Sequence, residues 1–536
     1  MLKKLINLNL DINISIFYEK QEKNKKIREL TYNIVNLGTE IKRKNKNKIN
    51  QDLIISTYED AKYIKKEMQI NNEELYYLYI YLIITVENKE EIKKITNKIH
   101  GICEEIGINI KLALCRQEQI FFSCLPILEN SIDVKNICKK NVLTSGLVAT
   151  YPFISENIND ENGILYGKNI NNHSMIFIDK FNLKKYKNAN SFILGVSGAG
   201  KSYFTKLMIF RNRIFGINQF VIDPEREYSK ICNGLDGVIL KIGPNSNVYI
   251  NILEIRQESL EDEQKGYLAN KITKIFGFLN LIFGKITEIE KAVLEEKLIE
   301  CYNKKEINFD DNSLFKMNEN RLEFKKSKEM PILQDLYNIL KEDKQTKNFA
   351  VKLFPFVKGS LKFFNNYTNI DLNNKLIIAD IYELEEEILK IGMYIVADLF
   401  WDKIKRNREE RKIIYFDEIW RLIGSTSNKH VASFIYKIFK TIRKYGGSAH
   451  GISQDVLDLF SLEEGIYGKS LLSNSEIKII FSLEQENITL LKRYIDISDE
   501  EMEKIKKLRQ GECVLQTVES KTYMKVESTE VESEII

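Results

Sequence analysis

The sequence predicts an α/β protein: a core of alternating strands and helices, interrupted by a helical subdomain and preceded by a separate α+β domain. Three observations predict it. The stretch "SFILGVSGAGKSYFTK" (Ser191–Lys206) runs from an apolar strand through a glycine-rich turn into a helical pattern. Further short apolar strands follow it in the chain, "QFVID", "KLIIAD" and "KIIYFD". Between the first and second of these, residues from about 256 to 370 carry helical periodicity almost throughout. At 536 residues the chain is too long for one ordinary core.

Composition narrows the class. Apolar residues make up 43% and charged residues 29%, a globular balance, and the net charge of +4 arises from 80 basic and 76 acidic side chains. Such balance argues against a chain held to nucleic acid or anionic lipid by bulk charge, although a local patch is compatible with it. The cysteines (Cys103, Cys115, Cys124, Cys138, Cys232, Cys301 and Cys513) are odd in number and none forms CxxC, and there are 4 histidines. A zinc site or a disulfide framework is therefore not expected, and a reducing, cytosolic setting fits. The N-terminal "MLKKLINLNLDINISIF" breaks its apolar residues with Asn and Asp, which makes a poor signal peptide. The apolar run Leu75–Val86, "LYYLYIYLIITV", is too short to span a bilayer and reads as a buried strand, so any membrane contact is expected to be peripheral.

Along the chain, residues 1–165 read as the α+β domain. The Leu75 run is followed by helical "NKEEIKKITNKIHGICEEIGI" and then by strand-like "NIKLALCR". The Asn- and Gly-rich stretch Glu156–Ser174 reads as a boundary. Residues 166–255 and 371–536 form the α/β core, with "SMIFID" and "SFILG" as strands and "KSYFTKLMIFRNRI" as a helix. Within the inserted 256–370 segment, Thr287 and Glu290 make a capping-box signature followed by Leu294, Leu298, Cys301 and Tyr302 at helical spacing. Polar Lys304–Glu329 reads as a surface excursion.

The opening stretch fits G-x-x-x-x-G-K-[ST] with Gly195, Gly200, Lys201 and Ser202, and with Gly198 inside. Glycines let the loop curl so that its N–H groups face phosphate oxygens. Lys201 can reach the β- and γ-phosphates, Ser202 can hold Mg²⁺, and the helix that follows aims its positive end at the anion. A turn that binds nothing would not need the strand before it and the helix after it. In "KIIYFDEIW" a strand ends in Asp417, placed to bind Mg²⁺ through water, and Glu418, placed to polarise an attacking water. Alone, such a pair is as often a helix cap and first-turn acid; beside the phosphate loop, the catalytic reading is favoured. In "VASFIYKIFKTIRKYGG", Val431, Phe434, Ile435, Ile438, Phe439 and Ile442 form an apolar stripe ending in Lys440, Arg443 and Lys444. Arg443 is either a cation complementing the helix dipole, with Gly446 or Gly447 as cap, or a phosphate contact across a subunit interface. "SAHGISQDV" is a strand ending at Ser453 and Gln454; Gln454 is either a turn residue or a sensor of the γ-phosphate. His450 reads as a strand residue. In "FVIDPEREYSKI", Pro224 stops a strand after Asp223, which is either mere termination or an acid at the sheet's carboxyl edge near the nucleotide.

Taken together, these residues resemble the conjugative-transfer and type IV secretion ATPases of the CagE/TrbE/VirB group, TraE/TrsE-like, within the FtsK/HerA-like P-loop superfamily. The resemblance is carried by "SGLVATYPF", "GILYGKN", "GVSGAGKSYFTK", "VIDPEREY", "NVYINILEI", "ITEIEKAVLEE", "YTNIDL", "LIIADIYEL", "YFDEIWRL", "IRKYGGSAHGISQD" and "LRQGECVLQT", in that order. It implies a RecA/FtsK-like P-loop core in which Gly195, Val196, Ser197, Gly198, Ala199, Gly200, Lys201 and Ser202, with Asp223, bind ATP. Ser202 and Asp417 would hold Mg²⁺, Lys201 and Glu418 would drive hydrolysis, and Arg443 and Gln454 would belong to later motifs of the core. It further implies a motor, often hexameric, on the cytoplasmic face of the membrane, acting with secretion-channel membrane proteins and a coupling protein, with DNA contact as an option. The alternative is a HerA/FtsK-like DNA-pumping translocase or the coupling protein itself. Departures from the family pattern are Ile419 where a small residue is usual, Ser453 for a usual Thr, and a shorter region ahead of the phosphate loop.

Overall fold

The computed structural model describes residues 12–42, 48–86, 88–105, 107–126, 130–151, 158–256, 266–318, 321–425, 427–518 and 520–536. The chain divides into two units, Met1–Ser155 and Glu156–Ile536. The N-terminal residues 1–11, residues 152–153 of "SGLVATYPF", and residues 257–265 of the expected helical segment lie outside the described residues.

The first unit is built on an antiparallel sheet in the order β1–β2–β3, from Ile12–Lys20 (β1), Leu75–Ile84 (β2) and Lys140–Leu143 (β3). Alternation splits the strand pair between two faces. Ile12, Ile14, Leu82 and Ile84 pack on Ile99 and Cys103 of the helix Lys89–Glu105, whereas Phe17, Tyr77, Tyr79 and Tyr81 pack around Val134. Buried tyrosine hydroxyls find acceptors: Tyr79 donates to Glu19 at 3.0 Å and Tyr81 to Asn130 at 2.7 Å. The expected strand "NIKLALCR" does not form. Residues 108–113 join no sheet, Leu112 and Leu114 stay exposed at 60% and 72%, and Cys115 lies in the left-handed region, φ 57°, which ends an extended run.

The second unit carries one large sheet. Its strands are Ile164–Asn169 (β4), Met175–Ile178 (β5), Ser191–Leu194 (β6), Asn218–Asp223 (β7), Val238–Lys241 (β8), Leu376–Asp380 (β11), Lys412–Phe416 (β12), Gly447–Ser453 (β13), Ile477–Ile480 (β14), Glu512–Gln516 (β15) and Lys521–Lys525 (β16). A separate hairpin pairs Phe315–Asn318 (β9) with Arg321–Phe324 (β10). The sheet order is β5-β4-β16-β15-β14-β6-β13-β12-β7-β11-β8. From β14 to β8 every pair is parallel, and from β14 outward to β5 every pair is antiparallel. The parallel strands β6, β11 and β12 are buried along their whole length and are largely apolar, as a covered parallel sheet requires. Within β7, Phe220 and Ile222 join one core and Val221 the other.

The helices Tyr267–Phe283, Glu288–Asn303, Leu333–Glu342 and Lys347–Val357 fill the segment between β8 and β11. Thr287 and Glu290 make both bonds of the capping box, and Leu294, Leu298, Cys301 and Tyr302 are buried. Their core is continuous with Phe220, Ile222 and Ala379 of the sheet. Two departures from the expected layout follow. The segment Lys304–Glu329 holds the β9–β10 hairpin, so the insertion is not wholly helical; Phe315 and Phe324 close it edge to face at 5.6 Å. And the stretch expected to separate domains supplies β4 and the turn into β5 of the large sheet, with Ile158, Ile164 and Tyr166 buried there.

A buried ionic cluster ties the insertion to the helix Glu386–Lys405. Arg256, Lys271 and Lys274 surround Asp398 and Asp402, with contacts from 2.6 to 3.2 Å. Burial alone would raise the Asp398 carboxyl; Lys271, Lys274 and Arg256 instead hold it well below the usual carboxylate range. Among the described residues, no helix is long and apolar enough to cross a membrane.

Candidate functional site

The site lies at the carboxyl edge of β6, β13 and β12, which are adjacent in the sheet. Strand β6 ends at Leu194, the loop Gly195–Gly200 turns, and the helix Lys201–Ile214 begins. Glycine is required at particular points. Gly198 and Gly200 have φ of 76° and 111°, and a Cβ on Gly195 would sit 2.6 Å from Cβ of Phe481. The loop is also tethered from outside: Val196 N–H donates to Ser482 O at 2.9 Å and Gly511 N–H to Ala199 O at 3.0 Å.

Lys201 is buried, and its ammonium donates to the carbonyls of Gly195 at 2.7 Å and Val196 at 3.0 Å. Burial pushes its pKa down, against the pull of Glu418, Asp417 and Glu227. The lysine is thus folded back onto the carbonyls of its own loop.

Asp417 and Glu418 follow β12 directly. Asp417 is fully buried among carboxylates; burial first, then Glu418, Asp223 and Glu227, push it well above the ordinary carboxylate range. Glu418 is raised by burial, opposed by a hydrogen bond from the Trp420 indole N–H and by Lys201. Its backbone is left-handed, φ 49°, a conformation costing about 1 kcal/mol or more that is maintained only where the surroundings enforce it. Here Ile419 N–H donates to Ile452 O of β13, which pins the turn.

These groups converge on a cleft of about 240 Å³ lined by Ser197, Gly198, Gly200, Lys201, Ser202, Tyr203, Glu225, Glu227, Asp417, Glu418, Gln454 and Gln510. Gln454 therefore reaches the cleft from the end of β13, while the Ser453 hydroxyl is spent on Asp455 O at 2.8 Å. Asp223 does not line it. Its buried carboxylate accepts the N–H groups of Glu227 and Tyr228, both at 3.0 Å, and burial pushes its pKa up to about 6 despite those bonds. The turn it organises delivers Glu225 and Glu227 to the cleft instead. Arg443 is exposed and away from the cleft, donating to Lys187 O, while Gly446 takes the left-handed cap position at φ 66°. His450 lies in β13 with its Nε2 at 2.9 Å from Lys180 Nζ.

The cleft fits a phosphate chain with a hard divalent cation. Ser202 and Asp417 offer oxygen ligands, the type Mg²⁺ prefers, and the crowded carboxylates Asp417, Glu418, Glu225 and Glu227 are opposed by Lys201 and by Arg421, which holds Glu225 at 3.1 Å. No group of three or more His, Cys, Asp or Glu side chains able to hold a metal occurs among the described residues. An ion here would complete its shell with phosphate oxygens and water.

Sequence reasoning did not assign Glu225, Glu227, Tyr203 or Gln510 to the site. The two glutamates were visible as an acidic turn after Pro224. Gln510 was visible only within the resemblance segment "LRQGECVLQT"; the position of β15 in the sheet brings it to the phosphate loop.

Residues 167–531 match the family model described as the TraG P-loop domain. Protein TraC of Escherichia coli (strain K12) is 22% identical over 371 residues, which cover 67% of this chain and 40% of that protein. The chain thus matches less than half the length of this relative. The solved structure of VirB4 from Thermoanaerobacter pseudethanolicus superposes with a TM-score of 0.64 at 26% identity, covering 71% of this chain and all of that one.

Proposed function

Because this chain belongs to the TraG P-loop domain family, we propose that it is an ATP-hydrolysing motor that energises conjugative transfer or type IV secretion. The observation that carries the reading is the convergence of Lys201, Ser202, Asp417, Glu418 and Gln454 on one cleft at the carboxyl edge of a parallel sheet. The resemblance to TraC and to VirB4 supports the type of machine.

In this account the amides of Ser197, Gly198 and Gly200 and the N-terminus of the helix Lys201–Ile214 cradle the phosphates, while Val196 N–H stays tied to Ser482 O. Lys201 exchanges its two carbonyl partners for β- and γ-phosphate oxygens. Ser202 and Asp417 hold Mg²⁺, which when bound neutralises phosphate charge. Glu418 orients and polarises the attacking water, and Gln454 contacts the γ-phosphate or that water. Arg443, exposed and away from its own cleft, acts on the nucleotide of a neighbouring copy in a ring, with a hexamer as the working assembly. The motor works at the inner face of the membrane with channel proteins and a coupling protein.

The trans role has a direct test. Arg443→Ala and Glu418→Gln subunits, each inactive alone, should recover part of the ATPase rate when mixed, because some interfaces then pair an intact arginine with an intact glutamate. Absence of recovery in demonstrably mixed oligomers assigns Arg443 to capping its helix.

A further inference from the structure

The order of strands fixes which way a nucleotide lies in the cleft. Asp417, Glu418 and Gln454 stand at the ends of β12 and β13, on one side of β6, so the γ-phosphate faces that side. The other end of the nucleotide must then project over the opposite side of β6, above β14 and β15. There the turn Arg509–Gly511 leads into β15 and lies directly on the phosphate loop. Gly511 N–H donates to Ala199 O, and a Cβ on Gly200 would come within 3.2 Å of Gly511 N. Gln510 on this turn is exposed and lines the cleft. Beside it stands Tyr203, 37% exposed, also lining the cleft, with its hydroxyl bonded to Ser528 in the segment after β16. An aromatic face and a free-standing carboxamide at the mouth of a polar cleft are the combination that recognises a base and sugar rather than phosphate.

We propose that Gln510 and Tyr203 form the nucleoside-recognition end of the cleft, Tyr203 supplying a face for the base or sugar and Gln510 hydrogen bonds to it. The inference rests on the ATPase reading above and deepens it. It also gives the antiparallel extension β14–β15–β16 a task, since that extension positions the Gln510 turn.

The test separates nucleoside from phosphate recognition. The KM for Mg·ATP and the inhibition constant of inorganic tripolyphosphate are measured on the full chain and on Gln510→Ala, Tyr203→Ala and Tyr203→Phe. Loss of one stacking face corresponds to roughly a tenfold weakening. The expected result is about a tenfold rise in KM for each alanine variant, a tripolyphosphate constant within twofold of wild type, and retention of ATP affinity in Tyr203→Phe. Equal weakening of ATP and tripolyphosphate, or unchanged ATP affinity, overturns the proposal. A wild-type chain that neither binds nor hydrolyses ATP overturns the ATPase reading instead. Both side chains are exposed, so folding of the variants is not at issue.

Discussion

Replacing Lys180 by methionine should make the stability of the unit Glu156–Ile536 much less dependent on pH. Lys180 is 3% exposed, and burial pushes its pKa down to about 7, against a weaker pull from Asp179. Its one close side-chain partner is His450, itself held well below its ordinary value by burial and by Lys180. Between about pH 7 and the unfolded lysine value the unfolded chain binds the extra proton, so stability rises with pH across that window. Below pH 7 the full penalty applies. The distance from 10.5 to about 7, at about 1.4 kcal/mol per unit, makes it about 5 kcal/mol as an upper figure, of which about 2 kcal/mol is relieved between pH 7 and pH 9. Lys180→Met removes this slope and loses a roughly constant contribution of about 1 kcal/mol from the bond to His450. Urea denaturation followed by tryptophan fluorescence is the assay, because Trp401 and Trp420 both lie in Glu156–Ile536 and report on that unit. Wild type should gain about 2 kcal/mol over the variant between pH 7 and pH 9. Parallel pH profiles would refute the reasoning.

Other predictions concern the site and its supports. Trp420→Phe removes the N–H that holds the Glu418 carboxylate; turnover should fall about tenfold while ATP affinity, read by equilibrium binding, stays within twofold. Glu532→Ala removes the carboxylate that grips the buried Arg211 at 2.7 and 2.9 Å, leaving its charge only the carbonyls of Leu165 and Glu527, and should cost about 3 kcal/mol in urea denaturation. Gly200→Val forces a β-branched residue to φ 111° against Gly511 and should abolish ATP binding in a filter or fluorescence assay. Chelation of divalent ions should stop hydrolysis, and added Mg²⁺ should restore it.

Much of the α/β core was legible in the sequence because its signals are local. The helix "KSYFTKLMIFRNRI" begins and ends where the sequence predicts, since glycines stop the strand before it and its apolar face keeps helical period. The capping box of Thr287 and Glu290 needs only four consecutive residues, and both its bonds are present. Lys201 could be nominated from the glycine spacing of its loop, and Asp417, Glu418 and Gln454 because each follows the end of a strand. What was not legible depends on sheet order. "NIKLALCR" alternates like a strand, but it pairs with no strand of the sheet, and Leu112 and Leu114 are left exposed. Asp223 sits at the carboxyl edge as expected, yet its carboxylate is spent on two backbone amides, and Glu225 and Glu227 line the cleft in its place. Gln510 lies more than three hundred residues from the phosphate loop in the chain. Its approach depends on β15 pairing with β14, which no local pattern announces.

Hydrolysis of ATP in the cleft is what every other proposal depends on. The most direct measurement is steady-state phosphate release by the full chain with Mg·ATP, compared with Lys201→Ala and Glu418→Gln. The account predicts turnover by wild type, none above background by Lys201→Ala, and ATP binding with at least about a hundredfold slower release by Glu418→Gln. Equal phosphate release by wild type and Lys201→Ala would contradict it.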